Sequence, residues 1–422
     1  MSAPLAIVLA YRQTGKVALN VLVGALETDP VTAAVPVDFV GRQASLADAI
    51  EKALLRSQRV LVLWSFYSPD APVIAAELAA VRAAGPGAPR VLHVAGGVHA
   101  TAEPEATLGL GFDLVGLGEG ERTVVDLVTS LLQGGDGRVQ GTAWPGGSGG
   151  KAEPVVLESW PPFAEAHGRR GPIEITRGCI YACSFCQTPF MNRARFRHRP
   201  LEDVLRWVRI QRESGFVDYR FISPTSLSWG TQGLVPDLAA LDALLGGIRE
   251  VIGRDRRLWY GTFPSEVRPE HVTPEVLALL ARWVDNRTLI IGAQSGSERV
   301  LARSNRGHDV PAVERAVGVA LEAGFVPHVD FIFGLPGEEP DDVEATLALA
   351  ERLADRGARV HGHTFMPLPG TPFRKEAPGR IEAAARRRLD RLAARGRLYG
   401  QWARQEGIAQ SLAARRAAGR HT

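Results

Sequence analysis

The sequence predicts an α/β protein in two parts. The first is a doubly wound parallel sheet of Rossmann or flavodoxin type. The second is a partial TIM-type (β/α)6 barrel with a C-terminal helical extension. Apolar runs of strand length alternate with amphipathic stretches of helix length along most of the 422 residues, as in parallel β/α units. One stretch rich in glycine and proline interrupts this alternation, and the chain is longer than one ordinary domain.

The first domain is expected at residues 1–135. Five strand-like runs recur there with helix-like stretches between them, which requires a parallel sheet with helices on both faces. Ligands of such sheets bind beyond the carboxyl ends of the strands. The strand candidates are Leu5–Leu9, Val37–Val40, Val60–Ser65, Val91–Ala95 and Leu114–Leu117.

A stretch with linker composition follows this domain. It contains the run Pro145–Gly150, in which four of six residues are glycine, and such composition is typical of flexible connections. We therefore expect a linker at residues 136–171, the barrel at 172–375 and the helical extension at 376–422.

The second domain resumes the alternation of strands and helices. Chemistry in such barrels is expected at the carboxyl ends of the strands. The strand candidates are Ile173–Thr176, Tyr219–Ile222, Leu258–Thr262, Thr288–Gly292, Val329–Phe333 and Arg359–Thr364.

Charge and hydrophobicity set limits on partners and location. No apolar run approaches the roughly 20 residues that span a bilayer, and Met1–Tyr11 is interpreted as a first strand, not as a signal peptide. We therefore expect a cytoplasmic protein without a membrane partner. Between Arg374 and Arg420 there are 13 basic and four acidic side chains. This surplus indicates either a solvated helix face or, as a less favoured alternative, contact with nucleic acid.

The chain contains three cysteines, and all lie within eight residues. Cys179, Cys183 and Cys186 form a C-x3-C-x2-C pattern directly after the first barrel strand. An odd, clustered set argues against a disulfide framework. Three thiolates can hold three irons of a cubane and leave the fourth iron open. The alternatives are a zinc site completed by a residue such as His198, although zinc sites usually pair two C-x2-C knuckles, and an inert cluster of thiols.

This cysteine pattern, with Phe185 just before the last cysteine, resembles that of the radical S-adenosylmethionine (SAM) superfamily. The resemblance implies a [4Fe–4S] cluster on the three cysteines, with SAM bound to the open iron. It also implies reductive cleavage of SAM to a 5′-deoxyadenosyl radical. An external electron donor such as flavodoxin or ferredoxin would reduce the cluster.

Further segments resemble the SAM-binding parts of that superfamily. Gln294 and Ser295 match the segment that contacts the ribose, Arg306 the arginine that pairs with the SAM carboxylate, and Gly334 a segment near the adenine. The alternatives are a helix N-cap at Ser295 and a solvated Arg306. The residues assigned to SAM by resemblance are Phe185, Ser223, Gln294, Ser295, Arg306 and Gly334.

The N-terminal part resembles the cobalamin-binding domain that precedes the barrel in one branch of the superfamily. The loop Tyr11–Gly15 lacks the D-x-H-x-x-G pattern of proteins that bind cobalt through histidine, so the lower face of the cobalt is expected to have no histidine ligand. The alternative is a scaffold that binds no cobalamin. The residues assigned to cobalamin by resemblance are Ser65, Gly96, Gly97, His99, Gly118 and Glu119.

Together these resemblances imply a cobalamin-dependent radical SAM enzyme that methylates an unactivated carbon of a small-molecule or peptide substrate. The alternatives are a tRNA-modifying enzyme like the methylthiotransferases, a cobalamin-independent radical SAM enzyme, and a non-enzymatic sensor. Four further residues either line the substrate cavity or belong to the core: Phe190, Met191, Trp229 and His363.

Overall fold

A computed structural model describes residues 2–85 and 89–418. The chain divides into two compact units between Gly171 and Pro172. Among the described residues, no helix is both long enough and apolar enough to cross a membrane.

The first unit is a seven-stranded sheet with the order β2-β1-β3-β4-β5-β6-β7. The first five strands are parallel and the last two antiparallel. The order 2-1-3-4-5 is that of flavodoxin-like sheets, which confirms the predicted fold class. The strands are β1 Ala3–Ala10, β2 Val37–Val40, β3 Ser57–Ser65, β4 Val91–Gly96, β5 Leu114–Gly116, β6 Thr142–Trp144 and β7 Gly147–Ser148.

Helices cover both faces of this sheet. On β1, Leu5, Ile7 and Leu9 belong to one buried cluster, whereas Ala6 and Val8 belong to the cluster on the opposite face. A strand buried on both faces reads as a continuous apolar run, which is why β1 was visible in the sequence. The helices are α1 Lys16–Leu26, α2 Pro30–Ala33, α3 Leu46–Arg56, α4 Ala71–Ala83, α5 Val98–Ala102, α6 Pro104–Gly109 and α7 Gly120–Leu132.

Residues 136–171, expected to form a linker, contain two strands and belong to the first compact unit. Strand β6 pairs with β5, and β7 folds back on β6. The N–H of Val155 then donates to the Glu119 carboxylate at 3.1 Å. Because the hairpin satisfies the backbone groups at the edge of β5, the glycines and proline here form a tight turn of the sheet and not a flexible connection.

The second unit contains short strand pairs followed by a four-stranded parallel sheet with the order β14-β15-β16-β17. Successive β/α units of this kind form the predicted partial barrel. The strands are β8 Ile173–Glu174, β9 Thr176–Arg177, β10 Arg197–His198, β11 Asp218–Tyr219, β12 Phe221–Ile222, β13 Arg257–Leu258, β14 Thr288–Gln294, β15 Val326–Phe333, β16 Arg359–Thr364 and β17 Leu398–Gly400.

The helices of this unit lie between those strands and after them. They are α8 Thr188–Met191, α9 Leu201–Glu213, α10 Leu238–Ile252, α11 Pro274–Trp283, α12 Glu298–Arg303, α13 Val310–Glu322, α14 Pro340–Asp355, α15 Ala383–Ala394 and α16 Trp402–Ala418.

The sequence predicts a helical C-terminal extension, but the structure of this segment also contains a strand. Strand β17 separates α15 from α16 and pairs in parallel with β16, with Val360 opposite Leu398. A strand of three residues is too short to show a hydrophobic period in the sequence. The extension is therefore part of the barrel sheet and brings Tyr399 alongside β16.

Candidate functional site

The three cysteines lie on the loop that leaves β9. Cys183 is buried, whereas Cys179 and Cys186 are half-buried, and all three thiols are free. Gly178 precedes them with a φ of +80°, and a Cβ there would overlap the carbonyl oxygen of Arg195. A glycine at this position is therefore required for the loop to begin.

Hydrogen bonds from the segment after α12 hold this loop in place. The side-chain amide of Asn305 donates to the carbonyl oxygens of Tyr181 and Ala182, both at 3.0 Å. The N–H of Ser184 donates to the carbonyl oxygen of Ser304 at 2.9 Å. Backbone groups before and after Cys183 are thus fixed by one neighbouring segment.

The surroundings of the thiols suit an iron–sulfur cluster. A cubane presents its irons at separate corners, so three thiolates on one loop can each bind a different iron. Burial raises the pKa of Cys179 to about 11 and also raises that of Cys186. Metal binding would supply the positive charge that keeps such thiolates ionised.

The fourth ligand considered for a zinc site is engaged elsewhere. His198 lies on β10, where its Nδ1 is 3.0 Å from the Thr176 hydroxyl and its Nε2 is 2.8 Å from the carbonyl oxygen of Thr231. Both ring nitrogens therefore have protein partners, and this arrangement weighs against the zinc alternative.

Two of the residues assigned to SAM converge near the cysteine loop. Arg306 is buried and donates from Nη1 to the Cys183 sulfur at 3.5 Å and from Nη2 to the Gly292 carbonyl oxygen at 2.6 Å. A Cβ on Gly292 would lie 2.6 Å from both Arg306 Nη2 and Gln294 Nε2, and 3.2 Å from Glu266 Oε2. Gly292 thus leaves space for three polar side chains to meet.

The other four residues assigned to SAM contact other parts of the protein or shape its backbone. The Ser223 hydroxyl donates to the Thr225 carbonyl oxygen at 2.8 Å. The Ser295 hydroxyl is 3.1 Å from that of Thr346. Phe185 packs against an apolar cluster that includes Phe365. Gly334 has a φ of +74°.

Of the residues considered for lining a cavity, the structure buries two. Met191 is buried, and so is Trp229, whose indole N–H donates to the Arg199 carbonyl oxygen at 3.2 Å. Phe190 is exposed. His363 lies on β16 within a polar group that the sequence analysis did not otherwise find.

That polar group lies on neighbouring strands. Asp330 Oδ1 is 2.8 Å from His361 Nδ1, which is 3.2 Å from His363 Nε2. Desolvation and the neighbouring Asp330 carboxylate raise the pKa of Glu266, and the Arg306 guanidinium opposes this rise. The polar residues at alternate positions of β15 and β16 are the sequence signal that could have revealed this face.

The residues assigned to cobalamin lie at one edge of the first sheet. Ser65 ends β3 and Gly96 ends β4, and Gly97 follows with a φ of +92°. His99 is buried, with Nδ1 2.9 Å from the Ser68 hydroxyl.

The loop after β5 completes that edge. The N–H of Gly118 donates to the Thr101 hydroxyl at 3.0 Å, and Glu119 accepts from the Val155 N–H. The structure therefore gathers all six residues at the carboxyl ends of β3, β4 and β5.

Sequence comparison finds that part of the second unit matches a known protein family. The model of the radical SAM superfamily matches residues 173–350. A tRNA-2-methylthio-N(6)-dimethylallyladenosine synthase of Halorhodospira halophila is 30% identical over 241 residues, which are 56% of this chain and 48% of that protein. A threonylcarbamoyladenosine tRNA methylthiotransferase of Thermotoga maritima is 28% identical over 307 residues, which are 70% of this chain and 63% of that protein. The chain thus spans about half the length of the first of these relatives.

Structure comparison covers both units. The radical SAM methyltransferase TsrM of Kitasatospora setae, solved with cobalamin and a [4Fe–4S] cluster bound, matches 89% of this chain and 78% of its own, with a TM-score of 0.65 and 19% identity. The cobalamin-dependent radical SAM enzyme OxsB, solved with aqua-cobalamin, matches 85% of this chain and 53% of its own, with the same TM-score and identity. At this identity the likeness concerns the fold. The chain therefore carries a radical SAM superfamily domain at residues 173–350, and its fold is shared with two solved radical SAM enzymes.

Proposed function

We propose that this chain is a cobalamin-dependent radical SAM enzyme that methylates an unactivated carbon of a small-molecule or peptide substrate. The observation that carries the proposal is the loop of three free cysteines after the first barrel strand, in one chain with a flavodoxin-type domain. When bound, the cluster supplies the electron that cleaves SAM and cobalamin supplies the methyl group. A flavodoxin or ferredoxin would deliver that electron.

The protein's part at the cluster is to hold it and to adjust its charge. Cys179, Cys183 and Cys186 would bind three irons and leave one open. The Arg306 guanidinium beside the Cys183 sulfur would stabilise negative charge on the thiolates. Hydrogen bonds and charge near the sulfurs set the potential of such clusters.

The SAM site is proposed on the same side of the barrel as the cysteine loop. Gln294 and Arg306 meet at Gly292 and offer amide and guanidinium donors for a carboxylate or a ribose. The hydroxyls of Ser223 and Ser295 already have hydrogen-bond partners. These two residues would therefore contact SAM through their backbone groups. Phe185 and Gly334 would form apolar and backbone walls.

The cobalamin site is proposed at the sheet edge formed by Ser65, Gly96, Gly97, His99, Gly118 and Glu119. Glycines there let the backbone approach a large ligand closely. The loop from Tyr11 to Gly15 offers no histidine to the cobalt. The support comes from this placement and from the fold shared with two enzymes solved with cobalamin bound.

The proposal is tested by anaerobic purification with cluster reconstitution and added hydroxocobalamin. Visible spectra are expected to show both cofactors, and reaction with SAM and reductant is expected to yield 5′-deoxyadenosine. S-adenosylhomocysteine should appear as well, because SAM would also remethylate cobalamin. Protein that cleaves SAM but takes up no cobalamin would overturn the cobalamin part of the proposal.

A second candidate function is tRNA modification of the methylthiotransferase type. The sequence relatives with that activity favour it. Methylthiotransferases carry a second cluster on N-terminal cysteines. Against this candidate, the sequence has no cysteine before Cys179. Tight tRNA binding that weakens steeply with salt, as phosphate contacts require, would favour this candidate over the first.

A further inference from the structure

The strands β15 and β16 present three metal-binding side chains on one face of the barrel sheet. Asp330 is the register partner of His361, and Ile332 is the partner of His363. Because side chains alternate along a strand, His361 and His363 point to the same side. Asp330 is almost fully buried, and the two histidines are half-buried.

One ligand atom from each of these residues lies within 4.8 Å of the other two. His361 Nδ1 stands 2.8 Å from Asp330 Oδ1 and 3.2 Å from His363 Nε2. A ring nitrogen carries either one proton or one lone pair. If it donates to Asp330 it cannot accept from His363, so one of the two contacts stays poorly satisfied.

A cation between the three atoms removes this conflict, because each of them can then direct a lone pair at it. We propose that Asp330, His361 and His363 bind a divalent transition-metal ion of the zinc class. Two imidazoles and one carboxylate are a common ligand set for catalytic zinc and non-haem iron. Ligand atoms around such an ion lie about 3.3 Å apart, close to the 3.2 Å between the two histidine nitrogens. A position remains for water or for a substrate oxygen or nitrogen.

Residues around the three ligands hold them in position. The Tyr399 ring stacks on His361 with centroids 4.4 Å apart and an angle of 7°, and its hydroxyl is 2.8 Å from His328 Nδ1. The carboxyl group of Glu266 interacts with that of Asp330 and adds a further polar contact. Such outer contacts orient the ligands of metal sites.

Gln405 gives a specific structural consequence of metal binding. Its Nε2 is 3.3 Å from His363 Nδ1, and its Oε1 accepts from the Thr364 N–H at 3.0 Å. Binding a metal through Nε2 of His363 leaves the proton on Nδ1, which then needs an acceptor. Metal loading is therefore expected to turn the Gln405 side-chain amide and release the Thr364 N–H.

The test uses the full-length protein with its cluster reconstituted, treated with chelator and then loaded with Zn²⁺. Metal analysis is expected to find one zinc per chain, and X-ray absorption at the zinc edge is expected to show nitrogen and oxygen neighbours only. Sulfur neighbours would place the zinc on the cysteines and overturn the proposal, as would failure to retain zinc. This measurement needs no variant, so it does not depend on how a variant folds.

Variants locate the ion within the barrel. His363→Gln is expected to weaken zinc binding by at least about 10-fold, measured by competition with a chromogenic chelator. The control is His167→Gln, which changes a half-buried histidine of the first unit that pairs with Glu27 and contacts none of the three ligands. Equal zinc affinity in the two folded variants would contradict the assignment.

Discussion

The guanidinium of Arg306 donates a hydrogen bond to the sulfur of Cys183 at 3.5 Å while its other terminal nitrogen binds the carbonyl oxygen of Gly292. The first contact places a buried positive charge beside a proposed cluster ligand. The second fixes that charge to strand β14. Arg306 would therefore link the reduction potential of the proposed cluster to the geometry of the barrel.

Replacing this arginine is expected to make the cluster harder to reduce. In Arg306→Gln the reduction potential should fall by on the order of tens of millivolts, because a positive charge near the sulfurs favours the reduced state. A redox titration followed by electron paramagnetic resonance measures the change. Arg303→Gln is the control, since that side chain is half-exposed and reaches Glu376. Equal potentials in both variants would show that Arg306 does not influence the cluster.

The start of the cysteine loop depends on a glycine. Gly178→Ala is expected to lower the free energy of unfolding by about 1–3 kcal/mol and to reduce iron content, because φ is +80° and the added methyl group meets the Arg195 carbonyl oxygen. Gly233→Ala is the control, as a Cβ there makes only an ordinary contact with Thr231. Denaturant unfolding and iron analysis check both variants. Unchanged iron content in Gly178→Ala would contradict the described loop geometry.

The loop after β15 contains a carboxyl group that should make stability depend on pH. Glu338 accepts from the Gly334 N–H at 2.7 Å, and its other oxygen is buried without a protein partner. Burial raises the pKa of Glu338 to about 7, from 4.5. The folded state therefore favours the protonated form. This stabilisation is complete below the unfolded pKa and is lost as the pH rises through about 7.

The wild-type protein should accordingly lose about 2–3 kcal/mol of unfolding free energy from this group between about pH 5 and about pH 8. Glu338→Gln should lack that loss, because a glutamine does not ionise. Glu322→Gln, at an exposed position of α13, should keep the wild-type profile. Denaturant unfolding across this pH range makes the comparison. A wild-type profile in Glu338→Gln would show that this carboxyl group is not the source.

The proposed cobalamin site can be separated from the cluster by mutation. Gly97→Val is expected to weaken cobalamin binding by about 10-fold or more, because φ is +92° and a Cβ lies 3.0 Å from the Ser65 hydroxyl oxygen. Iron content should be unchanged, since the cysteines belong to the other unit. Gly109→Ala, where a Cβ meets nothing within 4 Å, is the control. Retention of full cobalamin affinity in Gly97→Val would place the ligand elsewhere.

Much of the fold was predictable because buried parallel strands leave continuous apolar runs. The candidate Leu5–Leu9 lies within β1, and Thr288–Gly292 lies within β14. The strands that were missed, such as β6 and β17, have three residues each. Their pairing depends on an existing sheet edge and not on a pattern of their own, so tertiary context decided them.

The candidate site was predictable only where its residues are close in sequence. Cys179, Cys183 and Cys186 lie on one loop, so their spacing indicated a cluster. Glu266 and Asp330 are far apart in the chain. They meet because Val267, next to Glu266, bridges to Ile291 of β14, which is the neighbour of β15. No local pattern encodes such a meeting, although alternating polar residues within a strand mark the face on which it occurs.

The central claim is that three cysteines hold an iron–sulfur cluster with one iron open to SAM. Electron paramagnetic resonance of the reduced, reconstituted protein with and without SAM tests it most directly. We predict a cluster signal that changes when SAM is added and that is absent when Cys179, Cys183 and Cys186 are all replaced by alanine. The claim would be contradicted by a signal that does not change when SAM is added, or by a signal that is still present in the triple variant.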